Sequence, residues 1–107
     1  MLIKKIYSEG DVVAFKLVNG DEVVAKIVSE VVEGNRTSWT ISKPYTVIPS
    51  PQGIGLFQSM FSAELNKIIE LKAEHVMMHA EALQQMKDHY MTTTTGIQTV
   101  SKGPIIT

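Results

Sequence analysis

Apolar and polar residues alternate in the first third of the chain. In Val12–Val18 the side chains of Val13, Phe15 and Leu17 fall on one face of an extended strand, because successive side chains point to opposite sides. Asn19-Gly20 follows, a strong signal for a tight hairpin of type I′. The pattern therefore predicts a β-hairpin whose return strand is residues 23–32.

The return strand has its own alternation. Its apolar face holds Val23, Ala25, Ile27 and Val31, and the opposite face holds Lys26 and Glu30. Gly34-Asn35 then signals a second turn. The first two strands are therefore expected to form a hairpin.

Two more strands are predicted in the middle of the chain. Residues 38–48 place Trp39, Ile41, Tyr45 and Val47 on one alternation, with a bend or a sheet edge at Pro44, which cannot donate a ladder hydrogen bond. A turn at residues 49–53 precedes a fourth strand over residues 54–61. The predicted core consists of Val13, Phe15, Leu17, Val23, Ile27, Ile41 and Val47.

Residues 62–91 are rich in helix-forming residues, and propensity alone favours one long helix. The period disagrees, because Lys72 falls on the apolar stripe of such a helix. We predict short strands over residues 67–72 and 75–80 and a helix over residues 81–91; the single long helix is the alternative. Thr92–Thr95, four β-branched residues, and Gly96 are expected to end the helix. Residues 92–107 are predicted to be a flexible or extended tail.

Composition limits the possible functions. The chain has 107 residues, enough for one domain, and a formal net charge of −1, so any binding to nucleic acid needs a local basic patch. It has no cysteine, and therefore no disulfide, thiolate metal ligand or cysteine nucleophile. No apolar run has the length of a signal peptide or a membrane span, so we expect a cytoplasmic protein.

Two segments carry a family resemblance. Residues 15–27, Phe-Lys-Leu-Val-Asn-Gly-Asp-Glu-Val-Val-Ala-Lys-Ile, resemble the first motif of Sm-like (LSm) proteins, with Ala25 where a small residue is usual. Residues 69–76, Ile-Glu-Leu-Lys-Ala-Glu-His-Val, look like a divergent second motif. The pattern is also compatible with the phage-encoded Sm-like proteins.

The resemblance implies a mostly β fold: a small five-stranded, strongly bent antiparallel barrel over residues 1–91, here with a C-terminal helix. It further implies a homo-oligomeric ring of about five to seven subunits, paired edge to edge. Such rings usually bind single-stranded RNA near the pore. The RNA-binding residues implied here are Asn35, Arg36, Lys72 and His75.

Several positions depart from the family pattern. Val31 stands where an Asp normally orients the base-contacting Asn, and Glu33 where a base-stacking side chain is usual. Ala73 replaces a Gly, and Glu74 adds a negative charge beside Lys72. Two functions stay open: a non-catalytic ring that binds single-stranded RNA, or a structural or protein-interaction ring that keeps the fold without RNA.

Enzyme chemistry is not expected. No Gly-rich phosphate loop, nucleophile elbow or Ser-His-Asp arrangement is visible. His75 and His79 have the spacing of a helical zinc pair but lack a third ligand, and on a strand they would stand about 13 Å apart. We predict no cofactor and no metal. The methionines are expected to fill the core, and Trp39 to be a buried or inter-subunit anchor rather than a base-stacking platform.

Overall fold

The first two strands form the predicted β-hairpin. The computed structural model describes residues 6–64 and 66–95. Its strands are β1 (Val12–Leu17), β2 (Glu22–Glu33), β3 (Arg36–Ser50), β4 (Gly53–Gln58), β5 (Ile69–Lys72) and β6 (Val76–Glu81). A 3₁₀ turn, Ala73–His75, links β5 to β6, and one helix, α1 (Gln84–Thr95), follows.

The strands form one strongly curled antiparallel sheet in the order β4-β3-β2-β1-β6. Strand β4 pairs with residues 45–50 of β3, and β5 pairs with residues 38–41 of the same strand. The two therefore lie end to end along one edge of β3, as a single strand interrupted by residues 59–68. This arrangement, with its C-terminal helix, confirms the predicted mostly β, Sm-like fold class.

The β1–β2 turn differs from the predicted type I′. In a type I′ turn both central residues have positive φ, but here Gly20 has φ +97° and Asn19 does not have positive φ. The amide of Gly20 donates to the carbonyl of Leu17 at 2.9 Å, and the amide of Asp21 donates to Oδ1 of Asn19 at 2.9 Å. The asparagine side chain thus closes a three-residue loop in which only glycine needs the left-handed conformation.

A bulge in β2 reverses the predicted faces of its second half. Ile27 lies opposite Ile41 and Ser29 opposite Thr40, so Val28 is an extra residue on β2. Beyond it, Glu30 points inward and is 4% exposed, whereas Val31 is 37% exposed. The prediction that Val31 shares a face with Ile27, and that Glu30 lies on the opposite face, is therefore wrong.

A second bulge, in β3, divides that strand between two packing environments. Val24 lies opposite Tyr45 and Lys26 opposite Ser42, which leaves an extra residue on β3 near Lys43, a non-glycine residue with φ +52°. Before the bulge, Trp39 and Ile41 face the interior of the curled sheet. After it, the alternation is reversed and the side chains face α1 on the other side.

The core accordingly has two parts. The inner cluster consists of Tyr7, Val13, Phe15, Ala25, Ile27, Trp39 and Ile41, with Leu17 packed against it. The helix-side cluster consists of Val12, Val24, Ala82 and Tyr90, with Tyr45, Val47, Leu56 and Met86 packed against it. Most of the predicted core is buried, and Trp39 is buried as expected. Leu17 and Val47 are only partly buried, and the β3 bulge directs Val47 to the helix side.

Helix α1 continues beyond its predicted end. It includes Thr92–Thr95, the run that was expected to stop it near residue 91. The hydroxyl of Thr95 donates to the carbonyl of Met91 at 2.7 Å, so it satisfies a helix-terminal acceptor. The predicted Gly96 cap and the rest of the tail lie outside the described residues. In the described ranges, no helix combines the length and hydropathy needed to cross a membrane.

The apolar segment predicted as strand 54–61 pairs only as far as Gln58. Phe61 is 85% exposed, and Ile68 at the end of the interruption is 68% exposed. The expected role of methionine in the core is mostly wrong: Met60, Met77, Met78 and Met91 are exposed, and Met86 is partly buried in the helix-side cluster. Exposed apolar side chains thus occur on β6, in the interruption between β4 and β5, and on α1.

Candidate nucleic-acid interface

The predicted RNA-binding residues lie near the tip of the β2–β3 hairpin and at the end of β5. Glu33 pairs with Arg36 across the two-residue Gly34-Asn35 loop, and Gly34 has φ +63°, which glycine adopts without strain. Asn35 and Arg36 are both exposed. The hairpin therefore presents an amide and a guanidinium to solvent at adjacent positions.

Lys72 reaches the same surface from β5. It pairs with Ser38, and Ser38 pairs in turn with Val31, so these three side chains form one row across β5, β3 and β2. Directly opposite residues share a face, and diagonal neighbours lie about 7–8 Å apart. Arg36 is the diagonal neighbour of Lys72, so the two cationic residues lie on the same face of the sheet.

These strands border an open groove of about 160 Å³. Its lining residues are Val31, Glu33, Arg36, Thr37, Ser38, Glu70, Lys72 and Glu74. The groove contains Arg36 and Lys72 of the predicted site. Asn35 lies beside it in the loop, and His75 does not line it.

His75 belongs to a different neighbourhood. It is the last residue of the 3₁₀ turn, and its carbonyl accepts a hydrogen bond from the amide of Val18 at 3.0 Å. That bond attaches the turn to the β1–β2 loop, while Asn35 sits on the β2–β3 loop. The side chains predicted to act together are thus divided between two loops.

Charge in the groove is mixed. Three carboxylates, Glu33, Glu70 and Glu74, outnumber the two cations. Neither Arg36 nor Lys72 forms an ion pair with any residue that the structure describes. Both cations are therefore available to a ligand, but they stand in an acidic setting that repels a phosphate backbone.

Glu70 was missed as a groove residue, although the sequence contains a usable signal. It lies two positions before Lys72 in β5, and residues i and i+2 of a strand share a face. Extending the alternation of β5 to its polar side would have predicted a Glu70–Lys72 pair on one surface.

The inner face of the same strands holds a polar network that was not predicted. One carboxylate oxygen of Glu30 accepts hydrogen bonds from the amides of Ile6 and Tyr7, both at 2.8 Å. The Tyr7 hydroxyl lies 2.6 Å from Nδ1 of His79 on β6. Burial, followed by the charges of Glu30 and two other carboxylates, raises the pKa of Tyr7. This network fixes the segment before β1 beneath the groove.

Aromatic rings surround His79. Its ring centroid lies 4.8 Å from that of Trp39 and 5.5 Å from that of Tyr7, both at edge-to-face angles. Trp39 is 2% exposed and its Nε1 has no hydrogen-bond partner among the described residues. The tryptophan therefore supports the groove from inside and offers no ring face to a base.

No protein-family model matches this chain, and no curated protein matches it. The Sm-like resemblance therefore rests on the two sequence motifs and on the fold class. The fold and the groove define a curled β-sheet domain with a mixed-charge surface where β2, β3 and β5 meet.

Proposed function

We propose that this chain is a non-catalytic, Sm-like protein that assembles into a homo-oligomeric ring. The observation that supports this most is the pairing of the outer strands. Strands β4 and β6 end the sheet, and each has one strand neighbour among the described residues. Their outer backbone groups can pair with another chain, and head-to-tail pairing of identical subunits closes into a ring when the rotation permits.

Side chains on these outer strands support the same proposal. Ile54 and Phe57 on β4 are 49% and 54% exposed, and Met77 and Met78 on β6 are 60% and 63% exposed. These exposed apolar side chains lie on both faces of the outer strands, beside their free backbone edges. A subunit that joined these edges would cover them, and the family resemblance implies about five to seven subunits.

A backbone substitution on β6 tests the ring. The amide of Ala82 donates to the carbonyl of Val12 at 3.0 Å, so alternation along the ladder directs the backbone of Glu81 away from β1. Glu81→Pro removes an outward N–H without removing a bond to β1. We expect light scattering to show a ring for the native chain and smaller species for Glu81→Pro, while Glu81→Gln keeps the ring. A native chain that stays monomeric at high micromolar concentration contradicts the proposal.

The charge of the groove favours a structural or protein-interaction ring. The excess of carboxylates over cations lowers the affinity expected for a nucleic-acid backbone, whose binding depends on neutralised phosphates. A protein partner with basic side chains meets no such repulsion. On this proposal the ring acts by holding a partner and carries out no chemistry.

Binding of single-stranded RNA is the second candidate, and one observation favours it: Arg36 and Lys72 lie on the same groove beside Asn35. Fluorescence anisotropy with uridine-rich and adenine-rich strands tests it. Lys72→Glu should weaken binding and lower the salt slope by roughly one. Lys67→Glu, an equal charge change at an exposed position outside the groove, is the control. If neither RNA binds, RNA binding is removed and the protein-interaction ring is kept.

A further inference from the structure

Helix α1 contacts the outer edge of β4 through one side chain. Nε2 of His89 lies 3.2 Å from the carbonyl oxygen of Ile54. Ile54 lies at the second position of β4, directly opposite Pro49. The contact joins the C-terminal helix to a strand that ends the sheet.

The Ile54 carbonyl points away from β3. The amide of Ser59 donates to the carbonyl of Pro44 at 3.0 Å, and antiparallel pairs alternate between hydrogen-bonded and non-hydrogen-bonded positions. Counting from that pair along the ladder makes Ile54–Pro49 a non-hydrogen-bonded pair, in keeping with the missing N–H of proline. His89 therefore occupies an outward acceptor, the kind of group that an added strand would use.

The helix that carries His89 is firmly seated. The next residue, Tyr90, is completely buried in the helix-side cluster. Its hydroxyl donates to the carbonyls of Lys43 and Ser42 at 2.7 and 3.2 Å. Because Tyr90 anchors α1 on the β3 bulge, the imidazole of His89 is held over the β4 edge.

The edge of β6 has no such cover. Its outward backbone positions are His79 and Glu81, by the same alternation from the Ala82–Val12 bond. In the part of the chain that the structure describes, no side chain hydrogen-bonds to the backbone of either residue. The two ends of the sheet thus differ: β6 is open and β4 is partly occupied.

We propose that α1 is an edge guard. His89 fills the position of an incoming strand at Ile54 and so weakens the pairing of β4 with the β6 edge of another copy. This deepens the ring proposal and rests on it for the role of β6. Covering an edge strand with a helix is a known way to prevent unwanted pairing. A partner strand can reach β4 only after the His89–Ile54 hydrogen bond is broken.

The test is His89→Ala, with His75→Ala as the matched control, since both histidines are exposed and His75 lies on the 3₁₀ turn. We expect light scattering to show that His89→Ala assembles at concentrations about three- to tenfold lower than the native chain, the range that one hydrogen bond accounts for. Hydrogen exchange should show stronger protection at the outward amide of Leu56 than in the native chain at the same concentration. An unchanged mass distribution with unchanged exchange overturns the edge guard.

A combined variant separates this inference from the ring. In Glu81→Pro the β6 edge is blocked, so any association gained by adding His89→Ala must use β4. Gained association there supports the guard even if the native chain proves monomeric and the ring proposal fails. A native ring whose assembly is unchanged by His89→Ala alone keeps the ring and removes the guard.

Discussion

The hydroxyl of Tyr90 donates a hydrogen bond to the carbonyl of Lys43 at 2.7 Å, and so joins the C-terminal helix to the bulge in β3. Lys43 has φ +52°, an uncommon conformation for a residue with a side chain. The same hydroxyl lies 3.2 Å from the carbonyl oxygen of Ser42, the residue before Lys43. One phenol therefore stabilises both the helix position and the point where β3 changes its packing face.

We predict that Tyr90→Phe destabilises the fold by about 1–3 kcal/mol, because the part-buried carbonyls of Lys43 and Ser42 lose the hydroxyl that bonds to them. Urea denaturation followed by circular dichroism measures the loss. Tyr45→Phe is the control, since the Tyr45 hydroxyl forms no hydrogen bond within the described residues; it should change stability by less than about 0.5 kcal/mol. Equal effects of the two substitutions would contradict the role of Tyr90.

The alternation of apolar and polar residues predicted the strands well, but it did not predict the face of the sheet on which every side chain lies. Phe15 and Ile27 lie where the period of two places them, because β1 and the first half of β2 are regular up to that point. Beyond Ile27 the bulge at Val28 adds one residue, and every later side chain of β2 changes face. Nothing in the Val-Val-rich sequence there marks a bulge, so Glu30 could not be assigned to the interior.

The sequence likewise predicted only part of the candidate site. Arg36 and Lys72 were placed together by the family resemblance, and the β3–β5 register brings them to one groove. The same resemblance placed His75 with them. The 3₁₀ turn attaches His75 to the β1–β2 loop, and His75 does not line the groove.

Glu30 offers a second prediction. Its carboxylate accepts hydrogen bonds from the amides of Ile6 and Tyr7. Hydrogen bonds to a charged group contribute about 1.5–3 kcal/mol to the stability of a fold. We expect Glu30→Ala to destabilise the fold by that amount and Glu30→Gln, which keeps an oxygen acceptor, by about half as much. Thermal or urea unfolding gives both values.

The matched control is Glu22→Ala, an exposed glutamate of the same strand without a side-chain hydrogen bond to any described residue. Trp39 is the single tryptophan of the chain, and its ring centroid lies 6.5 Å from that of Tyr7. Its fluorescence should therefore shift when Glu30→Ala releases Tyr7, and stay constant in Glu22→Ala. A shift in the control, or none in Glu30→Ala, would show that Glu30 does not hold the segment.

Two phenylalanines give a third prediction, because their surroundings differ so much. Phe15 is fully buried in the inner cluster, and Phe61 is 85% exposed. Truncation of a buried phenylalanine to Ala costs about 3–5 kcal/mol, while a surface change stays within about 0.5 kcal/mol. We expect Phe15→Ala to unfold at much lower urea and Phe61→Ala to match the native chain. A large loss for Phe61→Ala would mean that it packs against a second subunit.

The tyrosines predict how stability depends on alkaline pH. Burial raises the pKa of Tyr90 far above that of a free phenol, and it raises the pKa values of Tyr7 and Tyr45 less strongly. In the unfolded chain all three ionise near pH 10. Between that pH and the higher pKa of the folded state, the unfolded chain binds fewer protons than the folded one. Stability is therefore complete below about pH 10 and decreases above it.

The expected slope is up to about 1.4 kcal/mol per pH unit for each tyrosine that stays protonated in the fold. Urea denaturation at a series of pH values from 8 upward measures it, and absorbance of the phenolate follows ionisation directly. Tyr90→Phe should remove the largest part of the decrease and Tyr45→Phe a smaller part, because the Tyr90 pKa is shifted furthest. If stability stayed constant above pH 10 while all three phenols ionised at their ordinary pH, Tyr90 would have to be open to solvent, and its bond to the Lys43 carbonyl could not hold α1 on the β3 bulge.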